Sequence, residues 1–415
     1  MILTLMDSVK TRVFADRNLT KNFFSMPEPD NTLSGIYATW YDDPRNTIMI
    51  HVQTKDSNEQ QLQYKPESVE HWSTAQPEKI TTYEETDRYT HWYKLIGLSP
   101  NSRYNVKFQD EETSFSTMPE TLSRDVRLVY TGDTTHNQEV MKNNLALGAI
   151  KTFDPDCIVM AGDICHADNN HSKWESFFDV WFSGENKKNN GDLIPFVVTL
   201  GNHDGRRESV SNPGTYHQLW NSLAEHAYQF FSYFSLPESG YDCIDVGNYM
   251  SLVLLDSGHI NTVESQNTWL DTTLSDRADV PWLLPSFHVS PYPGGYDYNA
   301  GVQPSIRDNW TELFTIHGVK VVNTSHNHVF AVSPPMTKDI IDPDGAIYTG
   351  QGASFGTWFR DLLYTDQEIW IEASKGAGDV QTRGFCGVTI ESPTKLKLER
   401  ITVNSEVINT IEITQ

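Results

Sequence analysis

The sequence predicts an α/β domain over residues 120–415, preceded by an all-β sandwich over residues 28–119 and an N-terminal segment, 1–27. Three observations lead there. A chain of 415 residues is too long for one ordinary domain. Residues 28–119 carry short β-branched and aromatic runs separated by turn residues, at the spacing of a sandwich. Beyond Arg127 short apolar runs alternate with amphipathic segments, which is how buried, largely parallel strands and their crossover helices read.

The expected sandwich strands are IYATWY (36–41), TIMIHVQT (47–54), QLQYKP (61–66), KITTYE (79–84), HWYKLIGL (91–98) and RYNVKFQ (103–109). The stretch from Leu98 to Tyr104 resembles the corner of fibronectin-type-III and related sandwiches, where a Tyr hydroxyl bonds back to the chain. Pro119 and ETLSRD (120–125) read as a linker. In the second part the expected strands are RLVYTG (127–132), CIVMAG (157–162), PFVVTLG (195–201), MSLVLLD (250–256), WLLPSFH (282–288) and VKVVNTSH (319–326). Helical character lies between them, at 139–153, 173–182 and 262–276. The tail reads as a closing antiparallel meander, FCGVTIE (385–391), KLKLERITV (395–403) and VINTIEIT (407–414).

Composition narrows the function. Hydrophobic residues at 38% and aromatic residues at 12% suffice for a sizeable core, which excludes wholesale disorder. Lys and Arg number 31 against 55 Asp and Glu, a net charge of −24. Nucleic-acid backbones and anionic membrane surfaces are held by clustered Lys and Arg, so neither is an expected partner. No apolar run approaches the ~20 residues of a membrane span. Cys157, Cys165, Cys243 and Cys386 are too scattered for a disulfide scaffold or structural zinc site, though a single bridge stays open. The start, MILTLMDSVKTRVFADRN, carries Asp7 and makes a poor signal peptide.

Chemistry sits where the apolar runs end. Asp133 follows RLVYTG, Asp163 follows CIVMAG, and Asn202, His203 and Asp204 follow PFVVTLG. His288 ends WLLPSFH, and His326 and His328 end VKVVNTSH. Ligands of α/β sheets bind at the carboxyl ends of the strands. Carboxylates, a carboxamide and imidazoles, with no thiolate, suit a pair of first-row metal ions. Singly, each has an ordinary alternative: a turn Asp, a core His, an Asn that caps a helix. Together, in one order and always at a strand end, they point to a dinuclear site.

This order, GD…GDxxH…GNHD…H…HxH, resembles the calcineurin-like metallophosphoesterases. Within them it is most similar to the purple acid phosphatases, whose pattern is GDxG, GDxxY, GNH(D/E), VxxH and GHxH. A fibronectin-like domain ahead of the catalytic domain is the arrangement of their plant-type members. GDICHAD (162–168) fits too, since an Ala-Asp pair often follows the Tyr position there. The likeness spans residues from about 33 to at least 360. It implies a catalytic domain built as a β-sandwich flanked by helices. It further implies that Asp163 bridges two metals, that Asp133 and His328 bind the first, and that Asn202, His288 and His326 bind the second. His203 matches the outer-sphere His that steadies phosphate and assists the leaving group, and Asp204 would orient it.

The chain departs from that pattern at three places. GDTT (132–135) lacks the second Gly, and SHNH (325–328) has Ser for Gly; neither changes the ligand spacing. Where the family has an iron-binding Tyr, this chain has His166. A neutral imidazole favours Zn²⁺, Mn²⁺ or Fe²⁺ over Fe³⁺, so the protein is expected to be colourless. His136 competes with His166 for this place, and the spacing favours His166.

The expected function is therefore a binuclear metal-dependent phosphatase that hydrolyses phosphate monoesters of small substrates by attack of metal-bound hydroxide, without a phosphoenzyme. The alternatives are a phosphodiesterase or nucleotide hydrolase on the same scaffold, and a non-catalytic adhesion or ligand-binding protein. Arg206, Arg207 and His217 are candidate substrate-binding residues, with His226 in the same insertion. Two loops, PYPGGYDYNAG (291–301) and GASFGTWFRD (352–361), are candidate walls, the first of them able to stack a nucleoside. The resemblance implies an extracellular or periplasmic location, with a cytoplasmic one left open. Oligomeric state is not legible.

Overall fold

The computed structural model describes residues 33–82, 86–134, 138–147, 152–182, 187–205, 227–350, 354–356, 360, 372–373 and 383–415. Its first part is the expected sandwich. One layer is formed by β1 (Leu33–Thr39), β2 (Ile48–Thr54), β5 (Lys79–Thr81) and β6 (Tyr89–Leu95). The other is formed by β3 (Leu62–Pro66), β4 (Ser73–Ala75), β7 (Arg103–Phe108) and β8 (Glu111–Ser116). β7 shows why a strand forms here: Tyr104, Val106 and Phe108 are buried while Arg103, Asn105 and Lys107 face outward, a period of two. The Tyr104 hydroxyl accepts from the Ser99 N–H at 2.8 Å, so the expected tyrosine corner is present. β4 and β8 were not legible, because STA is very short and EETSFS opens on two exposed acids.

β2 is buried on both faces, which explains why IMIHVQT does not alternate. Ile48, Ile50 and Val52 belong to the sandwich core. On the other face His51 stacks on Tyr37 at 4.5 Å, and Tyr37 packs 4.9 Å from Phe178 of the second part. The Tyr37 hydroxyl donates to the Tyr233 carbonyl at 2.7 Å. Asp192, wholly buried, accepts from Arg103 Nε at 2.7 Å and from the Ser116 hydroxyl at 2.5 Å.

The second part contains two facing sheets with helices outside them. β9 (Val126–Thr131), β10 (Cys157–Ala161) and β11 (Phe196–Thr199) run parallel. Beside β9 lies the antiparallel meander β21 (Gly384–Ser392), β22 (Lys395–Thr402) and β23 (Val407–Thr414), as the sequence predicts. The facing sheet has β13 (Met250–Leu254), β14 (Trp282–Val289), β15 (Val321–Ser325) and β19 (Ile347–Gly350) parallel. Antiparallel to them run β12 (Asp242–Val246) and β16 (Ala331–Val332), and β20 (Glu372–Ala373) pairs antiparallel with β16 at the edge. A minor hairpin joins β17 (Met336–Thr337) to β18 (Ile340–Ile341). Two mixed, facing sheets with helices outside them are the β-sandwich that the family resemblance implies, although the apolar runs alone do not record which neighbour each strand pairs with.

Leu128, Ile158 and Val197 share one apolar cluster with Leu252, Leu284 and Val321 of the facing sheet. Outside the first sheet, helix α1 (Gln138–Leu147) lies beside α2 (His171–Trp181), which buries Trp174, Phe177, Phe178 and Trp181. The Asn170 side chain caps α2 by accepting from Ser172 N. A short helix, α3 (Tyr228–Tyr233), adds Phe230 and Tyr233 to that layer. Outside the second sheet, α4 (Asn267–Ser275), α5 (Gln303–Asn309) and α6 (Thr311–Ile316) enclose a second cluster with Phe287, Trp310 and Phe314. All four cysteines are free thiols, so the bridge that the sequence leaves open is not formed. Among the described residues no helix is long and apolar enough to cross a membrane.

Candidate metal centre

The carboxyl ends of β9, β10 and β11 meet those of β14 and β15, so both sheets supply residues to one cluster. Beyond each strand end the backbone must turn sharply to aim its donor inward. Asp133, Asp163, His166, His326 and His328 all sit at positive φ, between 46° and 70°. For a non-glycine residue that costs on the order of 1 kcal/mol, and such residues concentrate at functional sites. Glycines let the turns approach one another. A Cβ on Gly162 would lie 2.7 Å from Gly201 Cα and 2.8 Å from His288 Nδ1, and one on Gly201 would collide with Asp163.

Three overlapping donor groups result: Asp133, His166 and His328; Asp163, His166 and His203; and Asp163, His288 and His326. Asp133 Oδ1 lies 2.9 Å from His328 Nε2 and 3.3 Å from His166 Nε2. Its other oxygen accepts from the His326 N–H at 2.6 Å and from the Ser325 hydroxyl. His288 Nε2 is 3.1 Å from both Asn202 Oδ1 and His326 Nδ1, and 3.3 Å from Asp163 Oδ2. Its Nδ1 donates to the Ala161 carbonyl at 2.8 Å, which turns Nε2 toward the cluster. Asp163 Oδ1 accepts from the His203 N–H at 2.6 Å. Asp163 Oδ2 is buried without a hydrogen bond, 3.8 Å from His166 Nε2. A buried carboxylate oxygen left unbonded among imidazoles, in a set of hard oxygens and nitrogens, fits a cation-binding site.

The electrostatics agree. Burial alone would raise the Asp133 and Asp163 carboxyls, yet His328 beside the first and His288 beside the second hold both well below the usual range. Burial works against the charged form of His288, but Asp163 and Asp133 push it up to about 9. His203 is raised as well: Asp163 and Asp168 outweigh its burial.

One expected role changes. Asp204 does not touch the His203 side chain. It is buried and accepts from the backbone N–H groups of Asp163, Ile164 and Gly201 at 2.7 to 2.8 Å. Burial and the Asp163 charge push its carboxyl up to about 7. It holds the two turns together, because their inward-facing amides have no other acceptor. The group on His203 Nδ1 is Asp168, at 2.6 Å. His203 also stacks on His166, with centroids 4.4 Å apart. Asp168 lies in the GDICHAD stretch, but nothing in the sequence marks it as reaching His203. Arg206, Arg207, His217, His226 and His136 lie outside the described residues. The 291–301 loop does reach the cluster, where Tyr296 stacks on His326.

Two family profiles match the chain. Calcineurin-like phosphoesterase covers residues 126–330, and the N-terminal domain of purple acid phosphatase covers residues 33–121. The chain belongs to the calcineurin-like phosphoesterases, of the purple acid phosphatase type. As a member it is a metal-dependent phosphoesterase, and the phosphoesterase match encloses every donor from Asp133 to His328. No curated protein matches the chain.

Proposed function

We propose that this phosphoesterase is a binuclear phosphatase acting on phosphate monoesters of small molecules. The observation that carries the reading is the set of three overlapping three-donor groups, in which Asp163 and His166 each belong to two. Asp133, His166 and His328 would hold one cation, Asn202, His288 and His326 the other, with Asp163 shared between them. What the cations supply when bound is charge neutralisation on the phosphoryl oxygens and activation of water at neutral pH. With His166 in place of a tyrosine, Zn²⁺, Mn²⁺ or Fe²⁺ suits the first site better than Fe³⁺.

The chain's own residues do the rest. Asp168 engages His203 Nδ1 at 2.6 Å, which leaves Nε2 to donate a hydrogen bond or proton to the departing oxygen. The Ser325 hydroxyl and the His326 N–H occupy one oxygen of Asp133, so the other faces His166 and His328. Cys165, the nearest thiol in sequence, is buried and its thiol is pushed well up by burial and by Asp204, so it is no nucleophile. The displacement is direct, with no covalent phosphoenzyme.

Two measurements test this. Steady-state rates on a monoester and a diester with the same aryl leaving group should favour the monoester; preference for the diester would replace the reading by a diesterase. Elemental analysis of wild type and Asp163→Asn should show two metals in the first and loss of both metals and activity in the second. Full activity in Asp163→Asn would refute the shared carboxylate.

A further inference from the structure

Above the donor cluster, the loop after β14 meets the chain at residue 360. Tyr296 stacks on His326 with centroids 4.8 Å apart and planes 8° from parallel. The Arg360 guanidinium lies 4.3 Å from the centroid of the same Tyr296 ring. His326 is buried, Tyr296 half-buried and Arg360 exposed, so these contacts lead from the cluster out to solvent. Steps of 4.8 and 4.3 Å bound the distance from the His326 ring to the guanidinium, a span that a phenyl ring substituted at both ends can bridge.

Three contacts fix where that positive charge sits. The Arg360 N–H donates to the His328 carbonyl at 3.0 Å. The Arg360 stem runs against Gly295, where a Cβ would come within 3.3 Å of Arg360 Cβ and 3.4 Å of its Cδ. That same Cβ would lie 2.6 Å from the Asn327 carbonyl, so residue 295 has no room for any side chain. The guanidinium rests on an aromatic face, which orients it without consuming its donors. Among the described residues no carboxylate pairs with it. In a chain with a net charge of −24, an arginine that rests on a ring, with no acid against it among the described residues, has donors to offer an incoming anion.

We propose that Arg360 is a specificity-determining residue that binds a second anionic group of the substrate. The substrate class is a phosphate monoester whose organic part carries a carboxylate or a further phosphate about one phenyl ring away from the scissile group. A planar guanidinium recognises either by paired N–H···O bonds. The inference rests on the monoesterase reading for the site beneath it.

The test compares two non-hydrolysable ligands, phenylphosphonate and 4-carboxyphenylphosphonate, titrated calorimetrically into the metal-loaded full chain. Arg360→Ala should weaken the carboxylated ligand about tenfold or more and phenylphosphonate less than threefold, with Arg360→Lys in between. Equal loss for both ligands, or no loss for the carboxylated one, overturns the assignment. Turnover of phenyl phosphate by the wild type reports separately on the monoesterase reading. Absent turnover with selective binding intact would sink that reading and still support the Arg360 subsite.

Discussion

Asp168 is where the structure makes a prediction that the motif pattern does not. Its carboxylate meets His203 Nδ1 at 2.6 Å, with side chains 27% and 17% exposed, so solvent screens the pair only in part. A hydrogen bond to a charged group contributes about 1.5–3 kcal/mol, and this exposure argues for the lower half. At about 1.4 kcal/mol per decade of rate, Asp168→Ala should cost roughly ten- to thirtyfold in kcat where proton donation matters. Asp168→Asn keeps an acceptor and loses only the charge, so a few-fold loss is expected. The stacking of His203 on His166 at 4.4 Å still holds the ring in place, which limits the damage. The assay is kcat on two aryl phosphates that differ in leaving-group pKa. A 4-nitrophenolate departs without a proton and should be barely affected; a phenolate or alkoxide should carry the full loss. Equal losses on both would refute a role for Asp168 through His203 as the leaving-group donor.

Three further predictions follow from other contacts. Asp156 is buried and pairs with Lys188 at 2.6 Å and Arg124 at 2.7 Å; burial raises its carboxyl, but these cations win and hold it below the usual range. Its folded pKa is thus depressed, so its stabilisation is present above the unfolded value near ~3.9 and is lost as pH falls through the folded one. Asp156→Asn should lower stability by about 2–3 kcal/mol at pH 7, with the gap to wild type closing in acid; thermal melts that differ equally at pH 3 and pH 7 would contradict this. Ser325→Gly removes one of two bonds to an Asp133 oxygen and should weaken metal retention by about tenfold, read by chelator competition; unchanged retention would make that hydroxyl incidental. A net charge of −24 repels a phosphate anion, so moderate salt should raise kcat/KM for an anionic monoester, whereas a steep fall would reveal a basic funnel.

The candidate donors were legible because each follows an apolar run, and a buried strand end is where a chain can place a polar group without exposing its core. Asp133, Asp163, Asn202, His288, His326 and His328 announce themselves this way. Their second contacts do not. The resemblance assigns Asp204 to His203, yet three backbone amides of the facing turns hold its carboxylate instead. Asp168 is separated from His203 by 34 intervening residues and meets it only once β10 and β11 pair. The division of the strands between two sheets came from the family resemblance and not from the runs themselves: MSLVL and CIVMA look alike as apolar runs, although one belongs to each sheet. β12, DCIDV, escaped notice because its two acids broke the apolar signal.

The seam between the two parts of the chain has a consequence for how the protein behaves in a crowded solution. β10 occupies one side of β11; on the other, β1 joins at the single pair Thr39–Phe196, with the Trp40 N–H donating to the Phe196 carbonyl at 3.0 Å. That bridge makes one ten-stranded sheet out of two. Without it the Phe196 end of β11 would lose its edge partner, and Phe178 would lose the cover of Tyr37. The N-terminal sandwich in this sense covers apolar surface of the second part. Removing it should cost the protein its colloidal behaviour before it disturbs a single donor.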